Sequence, residues 1–155
     1  MNSKVEERTG MEYVKGEIKR VFVLRFDHGD DFLEELTTVI KKENIRSAWF
    51  HVLGGIRRTE LVTGPKEPVM PPDPVWQEID DTREVIGLGS VFWEEEQPKI
   101  HLHAALGHHG DTISGCMRRK AEVYLILEVY LIEIGSIDAH RPWYPRGGFN
   151  RLEFR

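Results

Sequence analysis

The sequence predicts an α+β protein in which a curved, mainly antiparallel β-sheet, or a partly open barrel, surrounds one main helix. Most apolar positions follow the two-residue period of strands, and only residues 32–42 show helical spacing. The 155 residues, 40% of them apolar, suffice for one compact core. We therefore expect a single domain over residues 1–155, with an ordered core at about 11–154 and a polar N-terminal tail at 1–10.

The first two predicted elements are a strand and the helix. The strand covers residues 18–26 and ends at the turn formed by residues 27–30. Asp31 is a suitable N-cap for the helix, with Glu34 three positions later. The apolar positions at helical spacing are Phe32, Leu33, Leu36, Val39 and Ile40.

The remaining elements are strands separated by glycine and proline signals. Gly54 and Gly55 predict a bulge or sharp bend between two strands, and five prolines within residues 64–74 predict a surface loop. Residues 122–134 alternate between two apolar faces, so we expect core, helix or a neighbouring subunit to cover both. The predicted strands after the helix are 48–53, 56–62, 75–79, 83–93, 99–106 and 122–134.

Composition excludes several functional classes. The formal net charge of −5 weighs against a generally nucleic-acid-binding surface, so DNA contact would need a local basic patch. The single cysteine excludes an internal disulfide and fits a reducing, cytoplasmic location. We find no segment apolar enough to span a membrane, and no phosphate loop, dinucleotide fingerprint or nucleophile elbow.

Metal-ligand chemistry is concentrated at His101, His103 and Cys116. Two histidines separated by one residue of a strand project from the same face, roughly 7 Å apart along the chain, and both can reach one ion. A hairpin would return Cys116 beside them. The alternative interpretation is that both histidines are ordinary polar residues of a half-buried strand.

Glu128 interrupts the most apolar segment of the chain. An ionised carboxylate there needs a cation or several hydrogen bonds. Arg25, on a strand expected nearby, is a candidate partner in a buried or subunit-interface ion pair. The second hypothesis places Glu128 beside a metal, as an orienting residue or a general base.

The order of four motifs resembles the plants-and-prokaryotes-conserved (PPC) domain. They are residues 26–32, the Gly54-Gly55 bend, the His101-Leu102-His103 strand, and the Gly115 turn before residues 124–128. The similarity spans about residues 16–134. It implies a small barrel-like α+β fold that assembles as a homotrimer, and prokaryotic members are often labelled predicted DNA-binding proteins.

One position departs from the prokaryotic pattern of this family. The pattern supplies a third histidine where this chain has Cys116, within Ser114-Gly115-Cys116-Met117. The resemblance therefore implies either a zinc site of His101, His103 and Cys116 with an open fourth position, or a site that was lost. Imidazole and thiolate suit zinc, although iron, nickel and copper stay open.

Basic segments are the candidate DNA contacts. Arg57-Arg58 and Arg118-Arg119-Lys120 are short clusters that a trimer would repeat, although such clusters are more often solvated edges. The C-terminal residues 141–151 mix cations with aromatics but lack the second arginine and the proline of an AT-hook. The alternative for this tail is a terminal strand whose aromatics pack against the core or a neighbouring subunit.

Two functional hypotheses follow. The first is a non-enzymatic PPC-domain protein, a cytoplasmic homotrimer with a histidine-centred metal site that acts in regulation or in association with DNA. The second is a zinc-dependent enzyme acting on an unknown small molecule, with Glu128 as the proton acceptor.

Overall fold

A computed structural model describes residues 10–155, so nearly all of the predicted polar tail lies outside the described residues. The described residues form one helix, α1, and ten strands, of which the last four contain two residues each. Their bounds are β1 Glu17–Asp27, α1 Phe32–Lys42, β2 Ala48–Pro65, β3 Pro74–Ile79, β4 Arg83–Glu94, β5 Gln97–His108, β6 Asp111–Gly135, β7 Ala139–His140, β8 Trp143–Tyr144, β9 Phe149–Asn150 and β10 Glu153–Phe154.

Six strands form one antiparallel sheet in the order β1-β6-β5-β4-β2-β3, and β2 also pairs with β6. Because β2 and β6 are long, each pairs with different neighbours along its length, which requires the sheet to curve. This is the curved, mainly antiparallel architecture with one main helix that the sequence predicts.

The helix α1 begins where the sequence predicts. The Asp31 side chain accepts a hydrogen bond from the backbone N–H of Glu34 at 3.0 Å, which satisfies one of the free amides of the first turn. One face of the helix is fully buried against the sheet. That face carries Phe32, Leu36 and Ile40.

The Gly54-Gly55 pair lies inside one continuous strand. The two predicted strands 48–53 and 56–62 are therefore a single bent strand, β2, with a bulge in its pairing to β6 at this point. Gly54 has a φ of +136°, and a Cβ on it would lie 2.3 Å from the carbonyl oxygen of Ile126. Only glycine fits such a close approach of two backbones.

Alternation along the strands separates a buried inner face from an exposed outer face. The inner face packs under α1 and includes Phe50, Leu102 and Leu131, all fully buried. We call the exposed apolar residues of the opposite surface the outer face. They are Val21, Val23, Leu53, Ile86, Leu88 and Tyr130.

The segment 122–134 is covered by the rest of the chain on one face only. It is the second half of β6, and one of its two faces stays partly open to solvent within a single chain. Leu125, Ile126 and Tyr130 are exposed, whereas Leu127, Val129 and Leu131 are buried. The chain's own core and helix therefore cover one face, and cover of the other face by a neighbouring subunit stays a prediction.

The C-terminal segment forms two short hairpin pairings in place of one terminal strand. β8 pairs with β9, and β10 pairs with β7. The backbone N–H of Arg141 donates to the carbonyl oxygen of Trp93 at 2.8 Å, which ties this segment to the end of β4. Within residues 10–155, no helix has the length and apolar character needed to cross a bilayer.

Candidate metal centre

His101, His103 and Cys116 converge at one point of the sheet. The two histidines lie on β5, and Cys116 on β6 is the direct cross-strand partner of His103. One potential ligand atom from each residue lies within 4.8 Å of the others. The Nε2 atoms of His101 and His103 are 3.0 Å apart, and their rings meet edge to face.

The β5–β6 hairpin sets this geometry. The chain reverses at His109 and Gly110, both of which adopt positive φ values, and pairing resumes between His108 and Asp111. Five residues further along each strand, the same register brings His103 opposite Cys116. Cross-strand partners project from the same face, so the thiol lies beside the imidazoles.

The electrostatic environment favours a neutral imidazole at His101. Desolvation within the pocket, reinforced by the nearby charge of Arg141, lowers the pKa of His101 to about 4, although part of its side chain stays exposed. Neutral imidazole is the form that binds metal. The Nε–H of Arg118 donates to the Sγ of Cys116 at 3.4 Å.

A pocket of about 940 Å³ opens beside the three residues. β4, β5 and β6 supply one side of it, and the C-terminal segment supplies the other. His101, His103 and Cys116 all line it, so an ion held by them would face the pocket. Apolar contributions to the wall come from Ile100, Met117, Trp143, Phe149 and Leu152.

The chemistry of the donor set fits a zinc ion. Two imidazole nitrogens and one thiolate are three of the ligands that zinc prefers, and three protein ligands leave a tetrahedral position open. The 3.0 Å separation of the two Nε2 atoms also suits a common centre, since donors about 2.0–2.3 Å from one ion lie about 3–4 Å apart. The described residues thus fit the group that the resemblance implies.

Glu128 is not a member of this cluster. Its carboxylate accepts a hydrogen bond from the hydroxyl of Tyr130 at 2.6 Å. Arg25 lies opposite Glu128 in register, but its guanidinium forms an ion pair with Asp27 at 3.2 Å.

His108, His109 and His28 have contacts of their own outside the three residues. His108 donates from Nδ1 to the carbonyl oxygen of Thr82, and its ring stacks edge to face on His109. His28 accepts from the backbone N–H of Leu125.

The predicted basic clusters are largely paired with carboxylates. Arg57 binds Glu122, and Arg58 binds Asp80. Arg119 and Lys120 both reach Glu60. Arg118 instead contacts Cys116, so only this member of its cluster joins the candidate centre.

Sequence reasoning missed Arg141 as a site residue. It sits in the C-terminal segment, about 25 positions beyond Cys116, and is only 5% exposed. Its Nη2 donates to the hydroxyl of Ser90 at 2.9 Å, and its guanidinium lies over the ring of Phe92. No local sequence motif predicts the position of Arg141, because its contact with Ser90 depends on how the C-terminal segment folds back over β4.

The fold and the motifs define a family. The model of the Plants and Prokaryotes Conserved (PCC) domain matches residues 13–135. The chain belongs to this family, which is the one named above as PPC. The described residues after 135, including Arg141, lie outside the matched range.

Solved structures of low sequence identity share the fold. A metal-containing protein from Archaeoglobus fulgidus matches with a TM-score of 0.81 and 22% identity, over 92% of this chain and 99% of its own. A plant- and prokaryote-conserved protein from Pyrococcus horikoshii matches with a TM-score of 0.80 and 20% identity, over 94% of this chain and 99% of its own. A candidate DNA-binding protein from Bacteroides thetaiotaomicron matches with a TM-score of 0.75 and 19% identity, over 90% of this chain and 97% of its own. No protein with a curated description matches the sequence.

Proposed function

We propose that this chain is a non-enzymatic PCC-domain protein that binds zinc through His101, His103 and Cys116. The observation that carries the proposal is the convergence of these three side chains on one point, within 4.8 Å of one another. The similarity in fold to a metal-containing protein from Archaeoglobus fulgidus supports the proposal. The protein acts in a regulatory role, and the free cysteine fits a reducing, cytoplasmic location.

The protein assembles as a homotrimer through its outer face. Apolar residues as exposed as Ile86, at 74%, and Val23, at 72%, are costly in water unless another surface covers them. A cross-strand row of side chains runs from Val23 through Tyr130, His51 and Leu88 to His103. The metal centre thus borders the surface that a second copy would cover.

The proposed regulatory role includes association with DNA. The similarity in fold to a candidate DNA-binding protein from Bacteroides thetaiotaomicron supports this association. In this chain the basic clusters are mostly paired with carboxylates and the net charge is −5, so binding would depend on few phosphate contacts.

A zinc-dependent enzyme is the second candidate. The observation that favours it is the pocket of about 940 Å³ beside a set of only three protein ligands. Zinc with an open position would supply Lewis-acid chemistry in that pocket. The Glu128 carboxylate lies outside the cluster, so the role of general base proposed for it would require a rearrangement of β6 or a second subunit.

The test is elemental analysis of the purified protein at a measured oligomer mass. We expect one zinc per chain in the wild type and a loss of stoichiometric zinc in His103→Ala. The matched control is His51→Ala, which removes an exposed imidazole from the neighbouring part of the same face. Equal metal content in all three proteins would refute the assigned ligand set.

A further inference from the structure

Arg141 is a buried cation with an unused donor. Its side chain is 5% exposed, and its Nη1 has no hydrogen-bond partner. Among residues 10–155, no carboxylate forms an ion pair with it, unlike Arg83, whose guanidinium binds Asp81 through two nitrogens. A buried guanidinium without an anion is costly, because its charge has lost water without gaining a counter-charge.

The guanidinium is held rigidly in position. Nη2 donates to Ser90 Oγ at 2.9 Å, and the charged plane lies 5.1 Å from the centre of the Phe92 ring. The backbone of the same residue is fixed at both ends, since its N–H donates to Trp93 O and its carbonyl accepts from Asn150 Nδ2. A donor fixed in this way loses little entropy when it binds a ligand.

Arg141 lines the same pocket as the candidate metal ligands. Arg141, His101, His103 and Cys116 are all part of its wall, as is Arg118. With zinc bound to one thiolate and two neutral imidazoles, the pocket would hold a further positive charge, and only an anion from outside would balance it.

We infer that the pocket binds a small organic carboxylate, with one oxygen on the guanidinium of Arg141 and the carboxylate directed toward the metal centre. This inference rests on the proposed zinc site for the second contact, whereas the contact with Arg141 does not need zinc. Guanidinium and carboxylate form strong charge-assisted hydrogen bonds. The apolar side chains Ile100, Trp143 and Leu152 give an organic body a surface to pack against.

The test uses phenylacetate, its neutral analogue phenylacetamide and inorganic phosphate, each titrated by calorimetry into the zinc-loaded and the metal-free wild type. We expect phenylacetate to bind both forms, more tightly with zinc, and phenylacetamide to bind neither. Equal affinity for the acid and the amide would overturn the inference. Binding of phosphate in preference to phenylacetate would also overturn it, because the assigned ligand is an organic acid.

Variants separate the role of Arg141 from that of the fold. Arg141→Gln should weaken phenylacetate binding roughly 10- to 100-fold, as expected for the loss of a charge-assisted hydrogen bond. Ser90→Ala, which only loosens the guanidinium, should weaken it less and serves if Arg141→Gln does not fold. The control is Arg46→Gln, since Arg46 also lies over an aromatic ring, that of Trp93, but does not line this pocket.

The outcomes distinguish this inference from the proposed function. Stoichiometric zinc without phenylacetate binding would overturn the carboxylate site alone. Phenylacetate binding to a protein that takes up no zinc would overturn the metal site alone. Unchanged phenylacetate affinity in a folded Arg141→Gln or Ser90→Ala variant would show that the carboxylate does not use this guanidinium.

Discussion

His103 and Cys116 lie directly opposite each other on β5 and β6, so one cross-strand pair contributes two of the three candidate metal ligands. His101 adds the third from two residues away on the same face of β5, and the three ligand atoms lie within 4.8 Å of one another. Rigid strands on both sides of the site hold this geometry before any metal binds.

Cys116→Ser should lower zinc affinity by about two to four orders of magnitude. A hydroxyl is a poor zinc ligand, and a three- or four-ligand site distributes about 10–16 kcal/mol of binding free energy over its ligands. Competition with a chromophoric chelator measures the change. Ser114→Ala, on the same strand, is the control and should leave affinity unchanged; a Cys116→Ser protein with wild-type affinity would exclude the thiolate as a ligand.

Ile86→Lys should convert the proposed homotrimer into monomers. The side chain is 74% exposed in the single chain and sits on the outer face, where a lysine would place a charge inside the proposed apolar contact. Light scattering coupled to size-exclusion chromatography gives the mass. Val69→Lys, on an exposed loop residue outside the sheet, should remain trimeric, and a trimeric Ile86→Lys would place the contact elsewhere.

Glu133→Gln should destabilise the fold by about 1–2 kcal/mol at neutral pH, through loss of a charge-assisted hydrogen bond. Glu133 is 3% exposed, and its carboxylate accepts from Arg20 Nε at 2.5 Å. This hydrogen bond holds the pKa of Glu133 below its ordinary value of 4.5.

The sign of the pH effect follows from that lowered pKa. The stabilisation is fully present above pH 4.5, the unfolded value, and is lost as pH falls through the lower folded value. Chemical denaturation of wild type and Glu133→Gln should therefore show a stability difference that shrinks at acid pH. Glu96→Gln, in an exposed turn, is the control. A difference that grows at acid pH would contradict this account.

Gly89→Ala should destabilise the protein by about 1–3 kcal/mol, the usual cost of overpacking a core. A Cβ at this position would lie 2.3 Å from the ring of Phe50, which is fully buried under the helix. Thermal unfolding followed by circular dichroism measures the loss. Gly107→Ala is the matched control, because its Cβ would meet no atom closer than 4.0 Å. Equal melting temperatures for the two variants would show that Phe50 moves aside at little cost.

Binding to an A·T-rich duplex should be detectable only at low salt and should vanish as salt approaches about 200 mM. The pairing of Arg57, Arg58 and Lys120 with carboxylates leaves few cations for phosphate. Fluorescence anisotropy across a salt series measures this dependence. Absence of binding at the lowest salt would remove DNA association from the proposed function.

The sequence by itself determined the elements that depend on local chemistry. The N-cap at Asp31, the helical spacing through Ile40 and the irregularity at Gly54 are all consequences of residue type and spacing over a few positions. The His-x-His spacing belongs with them, because a strand always turns alternate side chains to one face. Cys116 followed from a hairpin between neighbouring segments and from the resemblance to the PPC domain.

Only the tertiary structure decided which distant groups share the pocket. Arg141 reaches Ser90 because the C-terminal segment folds back over β4, and no local period encodes a contact across about 50 positions. The same holds for Arg25, which register places opposite Glu128 but which pairs with Asp27 instead. Side-chain pairing over long sequence separations depends on packing and on competition among nearby partners, which a linear pattern does not contain.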